Sequence, residues 1–195
     1  MLEFNKNETD KIVKAFKENK ILAFPTDTVY GVGVRMGIDN LKRLKQIKNR
    51  METKPIPVMC ANVKQIEQIA CLNENIKNII QNFLPGAITL VLPVKDLPEE
   101  FTNGLSTIAI RIPDEPFLLK VIEALETPLF VTSANQSGSH TSLTYEDAKK
   151  QLPDLDGIVY GTCKELEAST ILDCINMKIL RKGPISMEDI QNVLK

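Results

Sequence analysis

Residues 24–33 read Phe-Pro-Thr-Asp-Thr-Val-Tyr-Gly-Val-Gly. Two hydroxyls (Thr26, Thr28), a carboxylate (Asp27) and a phenol (Tyr30) fall within five residues, directly after the apolar run 21–24. Polar groups at a strand end are where α/β sheets usually bind ligands, and Gly31 and Gly33 let the backbone approach a partner closely. The same residues would also make an ordinary polar turn. A second cluster is basic. Residues 41–54 hold Lys42, Arg43, Lys45, Lys48, Arg50 and Lys54 against one acid, Glu52, a local +5 in a chain of net charge −1. Lys48-Asn49-Arg50 could grip a polyphosphate through charge-assisted hydrogen bonds. Equally, these cations could offset the dipole at a helix C-terminus.

Arginine is sparse: five of the 24 basic residues. Three of the five, Arg50, Arg111 and Arg181, lie beside predicted strand ends or loops, where a planar fork suits a carboxylate or phosphate better than lysine does. A structural salt bridge is the alternative for Arg111 and Arg181. A hydroxyl-rich stretch begins with Thr132-Ser133-Ala134-Asn135-Gln136-Ser137-Gly138, and six of the twelve residues 133–144 are Ser or Thr. It could hydrogen-bond a nucleotide or a small polar substrate, or only its own backbone. Ser169-Thr170 adds a weaker pair at a predicted strand start.

Other chemistries lack their residues. His140 is the single histidine, in a Ser/Thr loop that reads as surface, and the four cysteines (Cys60, Cys71, Cys163, Cys174) form no CxxC pair. A structural zinc is therefore not expected, and the thiols read as reduced and buried. No GxxxxGK[ST] or GxGxxG loop occurs, so the P-loop and dinucleotide modes have no support. No Ser/His/Asp arrangement recommends itself. An isoelectric point near 6.0 argues against coating nucleic acid by bulk attraction. The chain shows no apolar run of membrane length and starts without an export signal, so a cytoplasmic location is expected.

These residues need a scaffold. Helical spacing predicts helices over 7–19 (capped by Asn7 or Thr9), 39–48 (capped by Asp39), 62–70 and 73–83 (capped by Asn62 and Asn73), and 116–125. Thr144-x-x-Asp147 and Ser186-x-x-Asp189 resemble capping boxes that open helices near 145–151 and 187–194. Strands are predicted over 21–24, 56–60, 87–92, 107–112, 128–132, 157–160, 169–174 and 177–181. Pro57 marks the second of these as an edge strand or a strand start. The alternation predicts an α/β sheet covered on both faces, in one domain over 1–195.

In order along the chain stand Pro-Thr-Asp-Thr-Val-Tyr-Gly (25–31), Lys48-Asn49-Arg50 and Pro-Gly-Ala-Ile-Thr-Leu-Val-Leu (85–92). Ile-Ala-Ile-Arg-Ile-Pro (108–113), Thr-Ser-Ala-Asn-Gln-Ser-Gly (132–138), Ser169-Thr170-Ile171 and Leu-Arg-Lys-Gly (180–183) follow. This ordered set, spread over nearly the whole chain, resembles the YrdC-like family of threonylcarbamoyl-AMP synthases. The resemblance implies a twisted, mostly parallel open sheet with flanking helices and a basic concave face. It implies that L-threonine and bicarbonate form a carbamate, which attacks ATP at the α-phosphorus and releases pyrophosphate. The product, L-threonylcarbamoyl-AMP, feeds the t6A modification of tRNA. Carried over by motif, Thr26, Tyr30, Arg111, Thr132, Ser133 and Ser169 would hold threonine, with Arg111 bidentate on its carboxylate and Thr28 shaping the pocket. Lys48, Arg50, Lys54, Thr107, Ala134, Asn135, Ser142 and Arg181 would face ATP, and Lys48 and Arg50 would be the catalytic cations. Mg²⁺ would ride on the phosphates with few or no protein ligands.

Met59 departs from the pattern, standing where some members carry a histidine near the threonine. The resemblance is to the short, catalytic-domain-only form, which works with partner proteins that transfer the product to tRNA; no stable contact of its own with nucleic acid is expected. The runner-up is an RNA-binding or ribosome-maturation module using the basic face, disfavoured by 5% aromatics and no tryptophan. A carbamoyl-transfer domain of a hydrogenase-maturation protein shares similar motifs but belongs to a much longer chain.

Overall fold

The computed structural model describes residues 1–49, 55–164 and 167–194. In chain order the elements are β1 (Leu2–Asn5), α1 (Thr9–Lys17), β2 (Leu22–Phe24), β3 (Gly31–Arg35), α2 (Ile38–Ile47), β4 (Val58–Met59), α3 (Val63–Ile69), α4 (Glu74–Phe83) and β5 (Ile88–Pro93). There follow α5 (Glu99–Thr102), β6 (Thr107–Arg111), α6 (Pro116–Leu125), β7 (Leu129–Ser133), α7 (Tyr145–Gln151), β8 (Gly157–Tyr160), β9 (Thr170–Asp173), β10 (Lys178–Arg181) and α8 (Met187–Asn192). The strands form one sheet in the order β1-β8-β2-β3-β7-β4-β6-β5-β9-β10.

The α/β architecture is the expected one, but the sheet is mixed rather than mostly parallel. Pairs β1–β8, β2–β8, β4–β6 and β5–β9 are parallel. Pairs β2–β3, β3–β7, β4–β7, β5–β6 and β9–β10 are antiparallel. Short connections such as 25–30 and 174–177 bring the chain straight back beside the strand it left, and only crossovers yield parallel neighbours. Two strands were not predicted. β1 is a four-residue edge, and β3 is glycine-rich. A Cβ on Gly33 would lie 2.8 Å from the Phe130 carbonyl oxygen, so this strand packs too tightly for the β-branched residues that signal strands. β4 sits in the middle of the sheet, so Pro57 marks a strand start and not an edge; its carbonyl accepts from Val131 N at 2.9 Å.

The helical spacing of Ile12, Val13 and Phe16 turns them into the core on α1, and α4 buries Ile76, Ile79 and Ile80. Asn62, Asn73 and Thr144 cap their helices, and Ser186–Asp189 closes a full capping box. The caps expected from Asn7 or Thr9 and from Asp39 are absent: α1 starts after Glu8, and Asp39 falls within the first turn of α2. None of the described helices is long and apolar enough to cross a membrane.

Burial differs along the sheet. β2 is buried at every position and β3 at all but its last, whereas β5, β6 and β9 alternate. One large core underlies one face along the sheet. A second core, built by α1 and α6, seals the other face over β1, β8, β2 and β7 and reaches Met59 at its margin. The expected cover on both faces therefore holds for half the sheet. Over β6, β5 and β9 the second face carries half-buried residues such as Val91, Ala109 and Ile171.

Candidate functional site

At the boundary between the covered and open halves lies a pocket of about 710 Å³, its mouth included. The loop after β2, the ends of β6 and β7 and the β9–β10 hairpin converge there. The loop is held by Thr26, whose hydroxyl accepts from Thr28 N and Val29 N (3.1 and 3.2 Å) and donates to Val29 O (2.7 Å). This hydroxyl turn points Thr26, Thr28 and Val29 into the pocket.

Arg111 ends β6 and is 5% exposed. Its Nε donates to Gly86 O (2.9 Å), Nη1 to Thr28 Oγ1 (2.8 Å) and Nη2 to Asp27 Oδ2 (2.6 Å). A guanidinium carries five N–H donors, so two remain for a ligand. Burial lowers the Arg111 pKa, and the Asp27 carboxylate acts against that shift. Arg111 is thus a buried ion-pair residue that also lines the pocket. Its whole fork is not available for the bidentate contact expected of it.

Across the pocket Arg181 donates Nε and Nη2 to Ser169 O (3.0 and 2.7 Å) and Nη2 to Ser169 Oγ (3.1 Å). Among the described residues it has no acidic partner within ion-pair distance. Its pKa is lowered by partial burial and then by the like charge of Arg111, so the two guanidiniums feel each other. An anion between them would relieve that repulsion. Ser169 Oγ and Thr89 Oγ1 are 2.8 Å apart.

The pocket brings together Thr26, Arg111, Thr132, Ser133, Ser169 and Arg181 from the sequence-derived set, with Thr28 and Met59. Tyr30 is a correction. Its neighbours Val29 and Gly31 line the pocket, and the alternation of extended chain turns Tyr30 to the other side. There it is fully buried and donates to Val159 O (2.9 Å) or Gly161 O (3.1 Å); burial pushes its pKa up. It is a core strut rather than a threonine contact.

Lys48 is buried, and its ammonium donates to the Ser133 carbonyl, directly behind the pocket wall. Ala134, Asn135 and Ser142 belong to the adjoining loop. Ala134 N donates to Tyr30 O (2.7 Å), Ser142 Oγ to Ala134 O, and Asn135 Nδ2 to Ser139 O (3.0 Å), while Asn135 Oδ1 is buried without a hydrogen-bond partner among the described residues. Thr107 shares the open face of β6 with Arg111 but sits roughly 13 Å along the strand, outside the pocket. Arg50 and Lys54 lie outside the described residues.

The rest of the basic window serves the scaffold. Lys42 lies 3.9 Å from Asp39, Arg43 bonds Asn19 O and Asp156, and Lys45 bonds Asn103. Of the thiols expected to be buried, Cys71 is exposed; burial pushes the Cys60 pKa up to about 12, so the thiol beside Met59 is a poor nucleophile. Sequence reasoning missed Thr89, the polar residue at one alternate position of an otherwise apolar strand, and Thr141.

The family model Sua5_yciO_yrdC, described as "Telomere recombination", matches residues 14–183. Threonylcarbamoyl-AMP synthase of Bacillus subtilis is 34% identical over 99% of this chain and 58% of its own length. The Pyrococcus abyssi enzyme of the same name is 33% identical over 91% of this chain and 54% of its own length. The chain therefore spans little more than half of either relative. The crystal structure of P. abyssi Sua5 complexed with L-threonine superposes with a TM-score of 0.91 at 29% identity, covering 99% of this chain and 60% of that one.

Proposed function

Because the chain belongs to the Sua5/YciO/YrdC family, we propose that it joins L-threonine, bicarbonate and ATP into L-threonylcarbamoyl-AMP with release of pyrophosphate. The two relatives above bear the name of that activity. The observation that carries the proposal is the pocket itself, where two guanidiniums and a ring of hydroxyls face one space. The two remaining N–H groups of Arg111 would bind the threonine carboxylate, and Thr132, Ser133 and Ser169 its polar atoms. Arg181 would meet the carbamate or a phosphate. ATP would run from the pocket along the open face of β6 and β5 towards Thr107, with the loop of Asn135 and Ser142 alongside; the unpaired Asn135 Oδ1 is an acceptor for a nucleotide N–H.

No protein nucleophile is required, because the attacking group is the substrate's own carbamate oxygen. The chain then works by positioning and by charge placed where phosphate charge develops. Mg²⁺, carried by triphosphate oxygens, would supply further charge neutralisation. Asp27, the carboxylate beside the pocket, is committed to Arg111, and no group of three His, Cys, Asp or Glu among the described residues could hold a metal. In this proposal residues 1–195 act as one catalytic domain in the cytoplasm, and partner proteins of t6A synthesis carry the product to tRNA. Pyrophosphate release measured with each substrate omitted in turn tests it. Release should need both threonine and bicarbonate, and equal release without threonine would refute the proposal.

A further inference from the structure

Thr89 stands one residue beyond the Leu90–Ile110 pair of β5 and β6, which places it beside Arg111 on the open face. It is 5% exposed and lines the pocket. Its one hydrogen-bond partner among the described residues is Ser169 Oγ, at 2.8 Å. Ser169 Oγ already accepts from Arg181 Nη2. Two hydroxyls bring two protons and share one bond. If Ser169 donates to Thr89, the Thr89 proton is left over. If Thr89 donates to Ser169, the Ser169 proton is left over. Either way one O–H donor has no acceptor among the described residues and borders the pocket, with two guanidiniums nearby. Donation from Arg181 polarises the pair and strengthens whichever proton remains.

Resting on the function proposed above, we propose that Thr89 completes, with Ser169, a hydroxyl pair that binds the substrate. The Thr89–Ser169 pair donates one hydrogen bond to a carboxylate or carbamate oxygen of the amino-acid substrate. An apolar side chain at this position would suit the strand equally well, so folding alone does not call for the hydroxyl.

The test is steady-state pyrophosphate release with L-threonine varied at saturating ATP and bicarbonate, together with direct ATP binding and thermal unfolding. Thr89→Val keeps the β-branched shape and removes only the hydroxyl. It should raise the KM for threonine about tenfold, the scale of one hydrogen bond to a charged group, with a much smaller change in kcat and unchanged ATP affinity. Thr89→Ser should restore a KM within about threefold of wild type. Each single variant leaves one hydroxyl as a displaced donor, so the Thr89→Val/Ser169→Ala double variant should lose at least a further tenfold relative to Ser169→Ala. A Thr89→Val enzyme with the wild-type KM, or one that loses threonine and ATP affinity alike, overturns the proposal. A wild-type chain that releases no pyrophosphate overturns the proposed function itself, and this assignment with it.

Discussion

The two halves of the sheet use the same strand chemistry for different ends. Around β2 and β3, helices α1 and α6 close the second face, and every strand position but Arg35 is buried. Around β6, β5 and β9 none of the described helices contributes to a core on the second face, and Val91, Ala109 and Ile171 stay half-buried. The doubly sealed half holds the second core, and the pocket lies where that cover ends. Arg111 sits on the seam and belongs to both: its ion pair with Asp27 ties it to the loop after β2, and its side chain also lines the pocket.

The seam should show the largest effect. Arg111→Ala leaves Asp27 buried without its cation, a loss of about 3–5 kcal/mol of stability, and also removes a pocket donor. Both the unfolding free energy and the threonine dependence should deteriorate. A variant that keeps full stability would separate Arg111 from the sealed half. Phe24→Ala, deep in the sealed half and edge-on to Phe16 at 6.1 Å, should cost about 3–5 kcal/mol in denaturant unfolding. The turnover of the molecules that remain folded should be unchanged. Val91→Ala on the open face should cost about 1 kcal/mol or less. Equal losses for these two would erase the distinction between the halves.

Much of this division was legible in the residues, but not the division itself. The stripe of α1 is a local pattern and is buried as read, and the motifs around Thr26, Arg111, Ser133 and Ser169, also local patterns, come to line one pocket. The pairing senses depend on which strands meet across long stretches of chain, so a mostly parallel sheet was expected where a mixed one forms. Gly31 and Gly33 hid β3, because close packing against Phe130 and Val131 removes the side chains that announce a strand. Tyr30 looked like pocket chemistry because it stands among pocket residues; only the alternation of the backbone shows that it faces away. Thr89 was hidden by the opposite effect, one hydroxyl within an apolar strand.

Arg181 should sharpen the comparison from the open side. It lies on the edge strand β10, and its side chain bonds, among the described residues, only neutral oxygens of Ser169. Arg181→Ala should change stability by about 1 kcal/mol or less yet weaken binding of the anionic substrate about 10- to 100-fold, as loss of a charge-assisted contact in a partly desolvated site does. Measured at two salt concentrations, the wild-type affinity should fall more steeply than that of the variant. A large loss of stability with unaltered binding would move Arg181 into the scaffold.

The smallest effect belongs to the basic helix that first suggested a phosphate clamp. Among the described residues Lys42 on α2 is paired only with Asp39, at 3.9 Å, and the two side chains are 66% and 96% exposed. Such a pair gains little over hydration and is screened by salt. Lys42→Ala should therefore shift stability by no more than about 0.5 kcal/mol and leave the ATP dependence of pyrophosphate release where it was. The neighbouring cations Arg43 and Lys45 have protein partners of their own, so they cannot take over a phosphate contact without giving up a structural one. If instead Lys42→Ala weakened ATP binding several-fold, the charge of the helix would act on the ligand as a field rather than through contacts. The open half of the sheet would then extend, electrostatically, across α2. ATP titrations of wild type and variant at low and physiological salt check this, because a field acting beyond the Debye length fades as the screening length shortens.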